Sequence, residues 1–152
     1  MMRFSRLRVS GLVAGVFFLA SPVQVDAGTI LVSAEEAKLP PAKGAVSVAT
    51  RGITRGPKIA YVGTSDAAQS PMRLQLKFES FGGSKIDTDS LKVTYVKNPV
   101  VDLTPRLKPF VQPTGIDMPG AELPPGDHLI RVDVKDSDGR AATTSFTLKI
   151  AP

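Results

Sequence analysis

The sequence lacks cysteine and tryptophan entirely, and only one of its 152 residues, His128, is a histidine. Without cysteine the chain can form no disulfide, no thiolate metal site and no thiol nucleophile. A single histidine without cysteine does not make the usual zinc site, and it leaves little for a Ser-His-Asp arrangement. No G-x-S-x-G elbow, phosphate-binding glycine loop or H-E-x-x-H motif occurs. We therefore predict no catalytic residue, no metal site and no cofactor.

Long apolar runs are also scarce, and the one candidate lies at the N-terminus. Three arginines precede Val9–Ala20, an uncharged run that stops at Ser21-Pro22. Its apolar core of about a dozen residues is short of the ~20 needed to cross a bilayer. This pattern, followed by Val25-Asp26-Ala27, is typical of a secretory signal peptide cleaved after Ala27. We therefore predict that residues 1–27 are removed, that no membrane span remains and that the mature chain is periplasmic or secreted.

Positive charge is concentrated in this predicted signal peptide. The whole chain has a formal net charge of +5, and removal of three arginines and Asp26 lowers it to +3. The lysines and arginines that remain alternate with acidic residues and do not form a basic run. We therefore predict no nucleic-acid partner.

Four stretches show the alternation of apolar and polar residues that is typical of β-strands with one solvated face. Their inward-facing positions are Met72, Leu74, Leu76 and Phe78; Leu91, Val93 and Tyr95; His128, Ile130, Val132 and Val134; and Thr144, Phe146, Leu148 and Ile150. The last two stretches form a hairpin around the turn Asp136-Ser137-Asp138-Gly139. No amphipathic helix of useful length accompanies them. We therefore predict an all-β fold, with a single antiparallel β-sandwich over residues 57–152.

Residues 28–56, between the signal peptide and the sandwich, have a weaker pattern. Thr29–Val32 can form a short strand, and Ser33 and Glu36 have the spacing of a capping box. Two prolines follow, and then a small, basic, glycine-punctuated stretch. We predict a flexible N-terminal arm or linker for residues 28–56, with an edge strand laid on the domain as the alternative for its second half.

The C-terminal half of the chain has a recognisable order of motifs. After a glycine-rich turn come the strand KIDTDSLKVT (85–94), a long loop, the segment LPPGDHLIRVDVKDSDG (123–139) and a closing strand with Phe146. This order resembles the bacterial immunoglobulin-like modules of exported proteins, which serve as spacers, adhesin repeats and enzyme appendages. The resemblance implies an immunoglobulin-like sandwich. It also places His128 near the tyrosine corner of that fold, where we expect a ring nitrogen to bond nearby backbone.

The loop Val100–Met118 is the most distinctive candidate for binding. Arg106, Lys108 and Phe110 combine positive charge with an aromatic ring on a proline-stiffened segment, and stiff segments lose little entropy on binding. We predict that these three residues bind a partner, which we expect to be another envelope or extracellular protein. The alternative is that Phe110 tucks into the sandwich edge while the two cations are solvated.

The sequence thus predicts an exported, non-catalytic binding or structural accessory module. An exposed edge strand offers a further route to a partner, through addition of an extended peptide. Two alternatives remain open. One is a small periplasmic enzyme that uses carboxylates in a cleft. The other is a calcium-dependent adhesive module that uses the aspartate pairs Asp87 and Asp89 or Asp136 and Asp138.

Overall fold

The computed structural model describes residues 28–44, 56–63 and 67–152. In chain order the elements are β1 (Thr29–Ile30), α1 (Ala34–Ala37), β2 (Lys58–Tyr61), β3 (Met72–Glu79), β4 (Ile86–Tyr95), β5 (Val101–Asp102), α2 (Thr104–Leu107), a 3₁₀ helix (Lys108–Phe110), β6 (Val111–Gln112), β7 (Gly115–Glu122), β8 (Gly126–Asp136) and β9 (Ala141–Ile150). The predicted signal peptide, residues 1–27, lies outside the described residues. None of the described helices is long and apolar enough to cross a membrane.

The strands form two sheets that pack face to face. One sheet has the order β1-β7-β3-β2, with β6 also paired to β7, and the other has the order β5-β4-β8-β9. All pairings are antiparallel except that of β1 with β7, where Thr29 lies opposite Ala121 in parallel register. The predicted all-β sandwich is confirmed.

The core lies between the sheets and contains most of the predicted inward positions, although Thr144 and Phe146 of β9 are only half-buried. In β8, His128, Ile130, Val132 and Val134 are at most 1% exposed. Along β3 and β4 the predicted apolar positions are buried as well, except for Met72, which is half-buried. Alternation therefore identified the buried faces of these strands, because one face of each packs on the opposite sheet.

The hairpin β8–β9 has the predicted register and turn. Ten residue pairs run without a shift from Gly126 opposite Ile150 to Lys135 opposite Ala141. The turn closes where the Gly139 N–H donates to the Asp136 carbonyl at 2.9 Å. Gly139 has a φ of 77°, a backbone conformation that glycine adopts without steric cost.

The first described segment, 28–44, is not the flexible arm that the sequence predicted. Leu31 and Val32 are 0% and 2% exposed and belong to the core of the sandwich. The predicted capping box is present, since the Ser33 and Glu36 side chains each accept a hydrogen bond from the other's backbone N–H. The packed domain therefore includes residues 28–44. Two adjacent apolar residues, Leu31 and Val32, are enough to anchor this segment in the core, although its sequence has no alternating pattern. Residues 45–55 lie outside the described residues.

Candidate functional site

The predicted binding loop is held rigidly on the sandwich. Leu103 and Leu107, on either side of the first turn of α2, are completely buried. The Thr104 N–H donates to the Asp102 carboxylate at 2.9 Å, and the Thr104 hydroxyl accepts from the Val93 N–H at 2.9 Å. These contacts hold the backbone of the loop in a fixed position against β4.

Arg106, on α2, faces the N-terminal segment. Its guanidinium donates to both carboxylate oxygens of Glu36, at 2.7 and 2.8 Å, and to the Leu31 carbonyl at 2.7 Å. The Glu36 carboxylate also accepts the Ser33 N–H at 2.8 Å. The Arg106 hydrogen bonds lower the pKa of Glu36 from 4.5 to about 2, against the opposing effect of burial. Arg106 therefore fastens segment 28–44 to the sandwich.

Residues just after β4 form a second set of contacts with the N-terminal segment. The Lys97 ammonium donates to the Ala37 carbonyl at 3.1 Å and lies 5.4 Å from the centre of the Tyr95 ring. The Asn98 N–H donates to the Pro40 carbonyl at 2.9 Å. Both ends of α1 are thus tied to the loops of the sandwich. The capping box was visible in the sequence, but its partners are about 60 to 70 residues away and carry no local signal.

Lys108 and Phe110 follow Arg106 in the chain but have different surroundings. Lys108 is exposed and lines a shallow depression of ≈150 Å³ together with Thr88, Asp89, Leu91, Thr104 and Val111. Phe110 is half-buried and packs against the core. Of the three predicted binding residues, Arg106 is engaged by Glu36, Lys108 is exposed and Phe110 is half-buried. Partner binding by this loop stays a prediction.

In the turn between β8 and β9, hydrogen-bond donors of the protein itself bind the aspartate carboxylates. The Asp136 carboxylate accepts the N–H groups of Asp138 and Arg140 at 3.0 and 2.9 Å, the Arg140 guanidinium at 2.9 Å and the Ser84 hydroxyl at 3.3 Å. Burial by itself raises the pKa of Asp136, but these donors outweigh it and hold the pKa below its usual range. Arg140 also binds Asp138. Protein donors thus occupy the oxygens that the calcium alternative requires.

In the second aspartate pair, the Asp87 carboxylate is engaged locally. The Asp87 carboxylate accepts the Asp89 N–H at 3.1 Å, as in an Asx turn. Across residues 28–44, 56–63 and 67–152, no three acidic or histidine side chains come together as metal ligands. Further carboxylates are paired with arginine, as Asp117 is with Arg73 through two bonds of 2.6 and 2.7 Å.

His128 is completely enclosed and has a partner at each ring nitrogen. Nε2 lies 2.7 Å from the Pro124 carbonyl, and Nδ1 lies 3.0 Å from the Tyr95 hydroxyl. A carbonyl only accepts, so Nε2 carries the hydrogen and Nδ1 accepts from the hydroxyl. Burial lowers the pKa of His128, which favours this neutral tautomer. The predicted backbone bond is confirmed, and the ring ties β8 to β4 and to the loop before β8.

The free side of β9 presents backbone groups as well as side chains. The Lys149 carbonyl accepts the Ala68 N–H at 2.9 Å, and the Ala151 N–H donates to the Ala68 carbonyl at 2.8 Å. Odd-numbered residues of β9 therefore direct N–H and C=O away from β8, because backbone direction alternates along a strand. Within the described part of the chain, the odd-numbered residues of 143–147 have no backbone partner on that side. The sequence predicted an open edge but did not identify the strand.

Comparison with models of protein families, with curated proteins and with solved structures found no match.

Proposed function

We propose that this chain is an exported, non-catalytic immunoglobulin-like module that binds an extended segment of another envelope or extracellular protein along the edge of β9. Export follows from the charge and hydropathy pattern of residues 1–27. The motif order of the C-terminal half and its agreement with a two-sheet sandwich support the immunoglobulin-like part of the proposal.

The observation that carries the binding proposal is the row of outward backbone groups at positions 143, 145 and 147. Gly56 lies against the Ala141 carbonyl at one end of this row, and Ala68 bonds the Lys149 carbonyl at the other. A strand that adds to an edge gains main-chain hydrogen bonds to such groups. The single bridge of Ala68 to Ile150 already shows the geometry, because it places one extended residue beside β9 in parallel orientation. A partner strand can continue this pairing along the next three outward positions, 147, 145 and 143.

The same stretch lacks the features that protect edge strands from pairing. Natural edges are blunted by lysine, proline, bulges or very short length. β9 has ten residues, its pairing with β8 has no bulge, and positions 141–148 contain neither lysine nor proline. The small polar side chains at the outward positions are half-buried at Thr143 and Ser145 and exposed at Thr147. β2 packs beside β9, with the rings of Tyr61 and Phe146 stacked at 4.8 Å between centroids. The part of β9 suited to strand addition is therefore the short stretch 143–147.

Hydrogen exchange tests whether the edge is open. In the isolated mature protein we expect the amides of Thr143, Ser145 and Thr147 to exchange fast, and the even-numbered amides of β9, which bond to β8, to exchange slowly. Slow exchange at all positions would show that the edge is already paired, and would refute this site.

Capture from envelope extract with matched baits tests the binding itself. Ser145→Pro removes an outward N–H without removing a bond to β8, whereas Ser145→Ala changes the side chain alone. We expect a captured protein to be lost with Ser145→Pro and kept with Ser145→Ala. If Lys108→Ala abolishes capture and Ser145→Pro does not, the surface lies on the predicted loop instead. No capture by any bait contradicts the binding module.

A further inference from the structure

The first residue after the predicted cleavage site is packed against a carboxylate. A β-carbon built on Gly28 would lie 2.4 Å from Oε1 of Glu122, too close for any side chain unless Glu122 moves. Covalent bonds of ~1.5 Å then place the Gly28 α-carbon within about 4 Å of that oxygen, and its nitrogen within about 5.5 Å. Gly28 also lies beside Gly120, since a β-carbon on Gly120 would be 3.4 Å from the Gly28 α-carbon.

The carboxylate of Glu122 forms no ion pair among the described residues. Glu122 is half-buried, and within the described residues no lysine or arginine lies within 4.0 Å of its carboxylate. Its backbone is already committed to the N-terminal segment, because the Glu122 carbonyl accepts the N–H groups of Leu31 and Val32 at 2.9 and 3.3 Å.

We propose that Gly28 becomes the N-terminus of the exported protein and that its α-ammonium forms an ion pair with Glu122. The inference rests on the proposed export, because only cleavage between Ala27 and Gly28 converts a neutral amide nitrogen into an ammonium at this place. β1 begins at the next residue, Thr29, and pairs with the end of β7. The ion pair therefore secures the start of β1, a strand that only two residues hold in register.

This arrangement gives the cleavage reaction a structural consequence. In the precursor the Gly28 nitrogen is a neutral amide and attracts Glu122 weakly. After hydrolysis of the peptide bond, Ala27 keeps the new carboxylate and Gly28 keeps the nitrogen, which takes up a proton near neutral pH. Glycine at this position keeps the backbone within reach of Glu122, since a side chain there would displace the carboxylate.

The test uses the full chain expressed with its own leader, and three forms of the secreted product: wild type, Glu122→Gln and Glu35→Gln. Glu35→Gln is the matched control, because Glu35 is an exposed glutamate of the same segment. Intact mass identifies the first residue. The pKa of the α-amine is then measured by NMR, from the pH dependence of the chemical shifts of Gly28.

We expect the secreted chain to begin at Gly28. Its amine pKa should lie about half a unit above the usual 7.7 to 8.0, as for a partly exposed ion pair, and should return to that range in Glu122→Gln but not in Glu35→Gln. A secreted chain with another first residue, or an amine pKa unaffected by Glu122→Gln, overturns this inference and leaves export standing. A chain that is neither exported nor cleaved overturns both.

Discussion

The ion pair between Arg106 and Glu36 gives the sharpest prediction about stability. Arg106→Ala removes the two bonds to the Glu36 carboxylate and the bond to the Leu31 carbonyl. It leaves a carboxylate that is only 20% exposed without its cation. We expect the N-terminal segment to loosen and the sandwich to lose the burial of Leu31 and Val32 in part.

The size of the effect follows from the pKa of Glu36. A shift from 4.5 to about 2, at ~1.36 kcal/mol per unit, sets an upper bound of roughly 3 kcal/mol on what the ionised carboxylate gains on folding. Solvent reaches the guanidinium, which is 34% exposed, and reduces this value. We therefore expect Arg106→Ala to lower the free energy of unfolding by about 2 kcal/mol, a range typical of charged hydrogen bonds.

Urea unfolding of purified protein at pH 7 measures this difference, and thermal unfolding should show a fall in Tm of roughly 8 °C. Lys108→Ala is the matched control, because it removes a cation two residues away that has no ion pair among the described contacts. Its effect should stay within about 0.5 kcal/mol.

The pH dependence has a fixed sign. The pKa of Glu36 is lower in the folded state, so its contribution is complete above pH 4.5 and is lost as the pH falls toward 2. The gap in stability between wild type and Arg106→Ala should therefore shrink between pH 4.5 and 2. Equal losses for Arg106→Ala and Lys108→Ala, or a gap that does not change over this pH window, would refute the reasoning.

Three further predictions concern single buried positions. Burial lowers the pKa of His128 in the folded state, so the free energy of unfolding should decline as the pH falls below about 6.5, by at most ~1.4 kcal/mol per pH unit. Urea unfolding from pH 7 to 5 measures this decline, and His128→Gln should lose it. Asp136→Ala should lower Tm several times more than Asp138→Ala, because only Asp136 is buried and holds the turn; similar losses would contradict this. Gly115→Ala should cost about 2 kcal/mol or more in urea unfolding, because its β-carbon would lie 1.9 Å from the Leu76 carbonyl at a φ of +152°.

The strands were predictable wherever apolar and polar residues alternate along the sequence. Alternation along β3, β4, β8 and β9 identified the strands, since each has one face toward the opposite sheet. The segment 28–44 was not predictable as part of the core, because its two buried residues have no periodic neighbours. Their burial depends on contacts with Glu122 and Arg106, which lie about 75 to 90 residues further along the chain.

The candidate sites show a similar division. The structural role of His128 was predictable, because a lone polar residue at an inward position of a strand needs buried partners, and backbone supplies one of them. The binding loop was predicted from charge and an aromatic ring, and composition does not distinguish an exposed cation from one with an ion-pair partner. Arg106 and Lys108 have the same charge and lie two residues apart, yet only Arg106 has a carboxylate partner in the described contacts.

The arrangement of edges favours β9 as the place for strand addition. Within the described residues, β1, β5 and β6 are two residues long and offer little to a partner strand. The stretch of β7 that β1 and β6 leave uncovered contains Pro119, which has no N–H to donate. β2 has four residues and begins with Lys58. In the other sheet, β4 pairs with β5 only at Thr94 and Tyr95, but its pairing with β8 shifts register between Asp87 and Lys92. The pairing of β9 with β8 has no such shift, and because irregular edges resist strand addition we propose β9 as the docking edge.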